Sequence, residues 1–285
     1  CGAEGWNPGP REERRFLLGV FVFLVLFSIS VAMVREGLTG VSQAYARETY
    51  EYVGDIGKTS GLRALFTRYT EIHEYLSMHA KVHPPGPIAL LWVFSWFVGR
   101  GALALSLATI VGGCVAVFPL YAWAKQLLGA ETARVAVLLY AVVPSVVLFT
   151  ATSTDILFTP FTLTTLWLFD RALARGRARD AVAAGLLFGV LSILKFSLLA
   201  LGAYFAFAGL LRLSRRREQE TGGRPLRVVT QTAVVMLGCF LTFHALLYLW
   251  SGFDMIETFR LAKQQFDTDQ HHLDQVTPRL AAWTY

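Results

Sequence analysis

The chain has 285 residues, of which 54% are hydrophobic and 16% charged, with a mean hydropathy of +0.48, and this is more apolar than a water-soluble core requires. The net charge of +6 and a pI near 9.4 do not point to nucleic acid, because the basic residues fall in short clusters between apolar runs, where they set membrane orientation. Cys114 and Cys239 lie inside apolar runs and Cys1 stands at the terminus, which excludes a disulfide framework and a Cys-rich metal site.

In chain order, apolar runs of spanning length occur at 16–34, 101–124, 133–152, 156–170 and 227–250. The run 181–213 is too long for one crossing and predicts a hairpin of two short helices turning near Lys195. Arg11, Arg14 and Arg15 precede the first run, which reads as a retained span rather than a cleaved leader. The expectation is an all-α, polytopic transmembrane bundle of about seven spans in a single domain, with residues 35–100 forming an outer loop and interfacial helices. The chain opens on Cys1 rather than Met and ends at Tyr285 as another apolar segment begins, so further C-terminal helices are expected.

Between the first two runs, loop 35–86 is longer than a plain connection and has helix-like apolar spacing around Tyr52, Ile56, Leu62, Leu65 and Phe66, which predicts short amphipathic helices on the membrane. Within ARETYEYVGDIG, Glu48, Glu51, Tyr52 and Asp55 share one face if helical, and a carboxylate there can serve as a general base or simply be solvated. The stretch KVHPPGPIALLW follows. His83 before Pro84 is held extended as the loop re-enters the interface, with phosphate or acceptor binding as its candidate role. The apolar PIALLWVFSWFV spans only about 18 Å as a helix, too short to cross, so it is placed in the interface with Trp92, Trp96 and Phe97 at headgroup depth.

With that segment excluded, the clusters Arg11/Arg14/Arg15, Lys125/Arg134, Arg171/Arg175/Arg177/Arg179 and Arg212/Arg215/Arg216/Arg217/Arg224/Arg227 all fall on one side, predicted to be cytoplasmic together with the N-terminus. The outer face then receives loop 35–86, the turns at Asp155 and Lys195, and the tail from 251. Asp155 is flanked by apolar residues, so it is either functional, specifically paired, or a helix cap. Lys195 stands alone in GVLSILKFSLLALG and needs an anionic partner or a route to the interface. In the tail, His271 and His272 belong to a polar stretch able to cover a site or to serve as a plain connection.

Sharper motifs fail. His73-Glu74 with His79 misses the spacing of a zinc-protease pair, His79 and His83 are separated by a helix end before Pro84, and Asp267-Thr268-Asp269 has no accompanying strand-helix domain.

Four stretches in this order, ETYEYVGDI, KVHPPGPIALLW, TSTDILFTPFTLTTLWLF and GLLFGVLSILKFSLLAL, resemble the C-type membrane glycosyltransferases. The similarity is to the branch with protein O-mannosyltransferases and the aminoarabinose transferase of lipid A. That resemblance implies inverting transfer of a sugar from a polyprenyl-phosphate donor to a hydroxyl acceptor (glycan, lipid or protein) at the outer side of a plasma membrane. It implies a first-loop base, with Asp55 placed first and Glu51 next while Glu48 also competes, and Asp155 as a further catalytic residue that orients the acceptor, holds the carboxylate network or helps bind a divalent metal. It implies Lys195 and His83 as donor-phosphate ligands, with Tyr52, His79, His271 and His272 as further candidates. A divalent metal is a possible cofactor, and nucleic acid is not an expected partner. The competing class is a transporter or flippase using Lys195 and Asp155 as a charge pair in its path.

Overall fold

Among the described residues every long apolar run is helical, because in hydrocarbon a helix is the one local structure that pairs all of its own N–H and C=O groups. The computed structural model describes residues 9–46, 50–217 and 224–276, and among these there is no strand. The protein is an all-α, multi-pass membrane bundle.

Helix α1 (Pro10–Met33) leads into the short α2 (Leu38–Ala46). The loop then folds through a 3-10 helix Tyr52–Lys58, α3 (Leu62–Thr67), a 3-10 turn His73–Tyr75, α4 (Met78–Lys81) and α5 (Gly86–Val98). Helices α6 (Ala102–Cys114) and α7 (Val117–Leu128) together make one long span. The 133–152 run is not a single straight helix: α8 (Ala130–Val142) and α9 (Pro144–Thr152) meet at 55°, because Pro144 cannot continue the hydrogen-bond ladder of α8. After a 3-10 turn Thr154–Leu157 come α10 (Phe158–Arg175), α11 (Ala178–Leu194), a 3-10 turn Phe196–Ala200, α12 (Leu201–Arg217), α13 (Arg224–Ser251) and α14 (Met255–Val276).

Among the described residues four helices are long and apolar enough to cross a membrane, or five with the bent pair counted as one span. The α10 and α11 helices, about 27 and 26 Å long by helical rise, carry Asp170, Arg171 and Asp180 near one end and are not among these, so the count falls short of the expected set of about seven. The hairpin expected at Lys195 is present. Helix α11 ends at Leu194 and Lys195 is extended (φ −158°, ψ 126°), so the chain reverses at the lysine itself.

Charge sorts the two ends of the bundle. At one end Lys125 reaches Glu13 at 2.5 Å, Arg134 lies 4.6 Å above the Phe16 ring and Arg171 pairs with Asp180 at 3.1 Å. The opposite end collects the loop, α5, the Asp155 turn, the Lys195 break and the start of α14. Small residues decide how tightly α11 and α13 cross: a Cβ on Gly185 would meet the Met236 carbonyl at 2.7 Å, and one on Gly189 the Phe243 ring at 2.7 Å.

The loop departs from the expected amphipathic layer. Tyr52, Ile56, Leu65, Phe66 and Tyr69 join Ile88, Leu91 and Trp92 of α5 and Leu191 and Leu194 of α11 in one buried cluster, so the loop is a folded cap with its own core. Trp92, expected at headgroup depth, packs inside this cluster with Arg100 5.4 Å from its ring, while Trp96 and Phe97 stay exposed as an interfacial helix requires. The shared helical face of Glu51, Tyr52 and Asp55 does not form either. Glu51 is extended (φ −106°, ψ 151°) and a tighter 3-10 helix follows it, which turns Glu51 and Asp55 to different sides.

Candidate active site

Asp155 and Lys195 meet at the ends of α9 and α11. Ser153, not Asp155, takes the capping role, accepting the Asp155 backbone N–H at 3.2 Å, and this leaves the Asp155 carboxylate for Lys195 Nζ at 2.5 Å. Both side chains are partly open, 27% and 30% exposed, so the pair borders a solvent-reachable space rather than the core. The Tyr45 hydroxyl on α2 bonds the hydroxyls of Thr109 on α6 (2.6 Å) and Thr154 (3.0 Å), which fixes the Asp155 turn from behind.

The HPPG stretch brings His83 to the same place. Tyr69 donates its hydroxyl to the carbonyls of Ala80 and His83, 2.8 Å from each, and pins the segment that enters α5. Gly86 then passes so close to the end of α11 that a Cβ there would lie 2.2 Å from the Ile193 carbonyl oxygen. The double proline therefore ends α4 and the glycine lets α5 dock two residues before Lys195. Burial pushes His83 down to about 4, with Asp155, Lys195 and His79 the charges acting on it. It stands as a neutral imidazole at pH 7.

Of the first-loop acids, the structure brings Glu51 to this space. Its Oε1 lies 3.3 Å from His79 Nδ1, and it acts with Asp155 on the Tyr52 phenol, which burial pushes well above its ordinary range. Tyr52 is itself 1% exposed, its ring is 6.0 Å from that of His79 and 6.2 Å from that of His83, and its hydroxyl faces the Asp155 carboxylate without reaching a hydrogen bond of normal geometry. The phenol thus adds a buried donor beside the Lys195–Asp155 pair.

Asp55 is placed elsewhere. It is 0% exposed and accepts from the Ser77 backbone N–H (3.0 Å), the Ser77 hydroxyl (2.7 Å) and Lys58 Nζ (2.8 Å). Ser77 is the N-cap of α4, so Asp55 holds the helix that carries His79. His73 is likewise spent, with Nε2 2.8 Å from the Lys81 carbonyl, so it forms no metal pair with His79. Among the described residues no group of three or more His, Cys, Asp or Glu can hold a metal ion. Glu48 lies outside the described residues, as do the side chains of His271 and His272 on α14. Helix α14 packs against α4, and its Phe259 ring meets Phe196, the residue after Lys195, edge to face at 5.2 Å.

Sequence reasoning missed the roles of Tyr45, Tyr69 and Ser77, which nothing local advertises. Gly86 had a signal, the glycine directly after two prolines. A second feature absent from the sequence reading is an apolar groove of 680 Å³ between α11, α12 and α13, lined by Phe188, Leu199, Gly202, Phe205, Met236 and Phe240 among others. Its upper residues Leu199 and Gly202 follow Lys195 by four and seven positions.

No curated protein and no solved structure matches the chain significantly. A family model does: residues 82–245, which contain His83, Gly86, Asp155 and Lys195, match the model described as dolichyl-phosphate-mannose-protein mannosyltransferase. That match covers more than half of the chain and agrees with the C-type resemblance of its motifs, so the chain belongs to the dolichyl-phosphate-mannose-protein mannosyltransferase family of membrane glycosyltransferases.

Proposed function

We propose that the protein transfers a sugar from a polyprenyl-phosphate carrier to a hydroxyl acceptor with inversion at the anomeric carbon, using Glu51 rather than Asp55 as the general base. The observation that carries this reading is the meeting of a loop carboxylate, a Lys–Asp ion pair and a buried phenol beside it at one end of an apolar bundle.

Each group has a task that fits its surroundings. Glu51 takes the proton of the acceptor hydroxyl as its oxygen attacks the anomeric carbon. The bond from that carbon to the phosphate oxygen breaks, and the departing lipid phosphate is met by Lys195 and by hydrogen bonds from His83 and Tyr52. His83, neutral at pH 7, contributes a hydrogen bond rather than a charge. Asp55 keeps the loop folded. The polyprenyl chain lies along the apolar groove that begins just after Lys195, where it stays in contact with hydrocarbon while its phosphate is at the bundle end.

The basic residues at the other end mark the cytoplasm by the positive-inside rule, so the reaction runs on the outer side of the plasma membrane. Transport is the weaker reading. A translocation path calls for a charge pair near mid-membrane, whereas Lys195 and Asp155 each sit where a helix stops.

The test is turnover of a panel of polyprenyl-phosphate sugars by the full chain purified in detergent. Wild type is expected to release free polyprenyl phosphate with at least one donor, and Glu51→Gln to lose roughly a hundredfold in rate, the range of a removed general base. Equal turnover by wild type and Glu51→Gln removes the base assignment. A wild type inert towards all donors removes the enzyme reading.

A further inference from the structure

We infer that His79 is the positioning residue of the base: its ring nitrogen fixes one oxygen of Glu51 and leaves the other oxygen for the acceptor hydroxyl. The inference rests on the reading of Glu51 as the base.

Three separate constraints hold this imidazole. Its own backbone N–H donates to the Tyr50 carbonyl at 3.3 Å, which ties the first turn of α4 to the residue before Glu51. The N-cap of α4 is locked by Ser77 on the buried Asp55. The ring then faces Glu51, Nδ1 to Oε1 at 3.3 Å, with the Tyr52 ring alongside. Exposure falls steeply across the pair, from 53% at the His79 side chain to 13% at Glu51. The carboxylate therefore has one oxygen engaged by His79 at the more exposed edge of the pair, and its second oxygen is the one left for an acceptor entering beside Asp155.

The charges acting on the ring are Glu51, Asp155 and Lys195, with His83 beyond the Tyr52 ring. Helix α14, which packs on α4, carries Glu257, Arg260, Lys263, Asp267 and Asp269, the first two paired with each other, and none of these is among the charges acting on the ring. The contact with Glu51 raises His79 above its ordinary value, so its protonation falls within a testable pH range. As an imidazolium it holds Glu51 in an ion pair with which the acceptor's proton must compete. As a neutral ring with Nδ1–H it still orients Glu51 and no longer draws off its charge.

The signature is kinetic. In the full chain in detergent, with a donor that wild type turns over, kcat should rise with pH through the His79 titration. His79→Ala should lower kcat tenfold or more with little change in donor KM. His79→Gln, which keeps a donor near Glu51 but does not titrate, should recover most of the loss and flatten the profile. The double variant Glu51→Gln/His79→Ala should be no slower than Glu51→Gln alone, because His79 acts only through Glu51. Thermal unfolding of each variant identifies any that fails to fold, and the half-exposed site predicts that none does. Wild-type kcat in His79→Ala, or losses that multiply in the double variant, would overturn the inference while the glycosyltransferase reading stands. A wild type with no turnover overturns both.

Discussion

Lys195 is already occupied when the donor arrives, and this predicts that Asp155→Asn tightens the binding of sugar-free polyprenyl phosphate. In the structure Nζ and Oδ2 are 2.5 Å apart, and a phosphate oxygen cannot take that place until the carboxylate leaves it. At an effective dielectric of about 20, the bare Coulomb attraction at this distance is roughly 7 kcal/mol. Both groups are more than a quarter exposed, however, and desolvation and water screening leave such a pair worth on the order of 1 kcal/mol net. Removing the competing charge while keeping the side-chain shape should therefore lower the Kd about fivefold, since 1.4 kcal/mol is a factor of ten. Lys195→Met should raise it by about tenfold or more, because the phosphate then loses a charge-assisted bond. The assay is calorimetric titration of polyprenyl phosphate into the purified protein at 0.15 M salt. Turnover of Asp155→Asn should fall even as binding tightens. An unchanged or weaker Kd in Asp155→Asn would mean that the carboxylate does not compete with the phosphate, and would remove Lys195 as its ligand.

Other consequences follow from the same geometry. Asp55→Asn leaves three donors facing a neutral amide in a fully buried place and should cost about 2–3 kcal/mol, the lower part of the range for a broken buried pair because Lys58 is a third exposed; chemical denaturation should resolve it, with Glu51→Gln close to wild type. Gly86→Ala forces a methyl against the Ile193 carbonyl and should destabilise by about 1–3 kcal/mol while slowing turnover, so a wild-type melting temperature would refute the close approach of α5 to α11. His83 is lowered to about 4 in the folded protein against about 6.5 unfolded, so the unfolded state binds the proton first and stability should fall as pH drops from about 6.5 towards 4; His83→Gln should flatten that slope in thermal scans. Ser60→Cys, on the exposed side of the loop, should react with a membrane-impermeant maleimide in cells if the loop faces outward, and protection there would reverse the orientation.

The helices were legible in the sequence because hydrocarbon leaves a spanning backbone one solution, and length and charge then excluded PIALLWVFSWFV as a crossing. The break at Lys195 was legible for a different reason: basic clusters on both sides of 181–213 cannot share a face unless the chain turns back between them. What failed was the periodicity of the loop. A helix over 48–55 would have aligned Glu51 with Asp55, but Glu51 is extended and a 3-10 segment follows, a choice made by tertiary bonds from Ser77 and Lys58 that lie 22 and three residues away from Asp55. Spacing alone put both carboxylates on one face, and the family resemblance then placed the fully buried Asp55 ahead of Glu51, the one that reaches the site. Tyr45 and Tyr69 were invisible for the same reason, since each acts through contacts distant in the chain.

The closed knot of Asp55, Lys58 and Ser77 has a wider consequence. Glu51 and His79 hang from a cap whose buried carboxylate is satisfied from within, whereas Lys195 and Asp155 stand where membrane helices end, and the Tyr52 ring lies at the seam between them. On the proposed reading, the cap's outer residues can be redrawn to suit a new acceptor without disturbing the half that would meet the lipid phosphate.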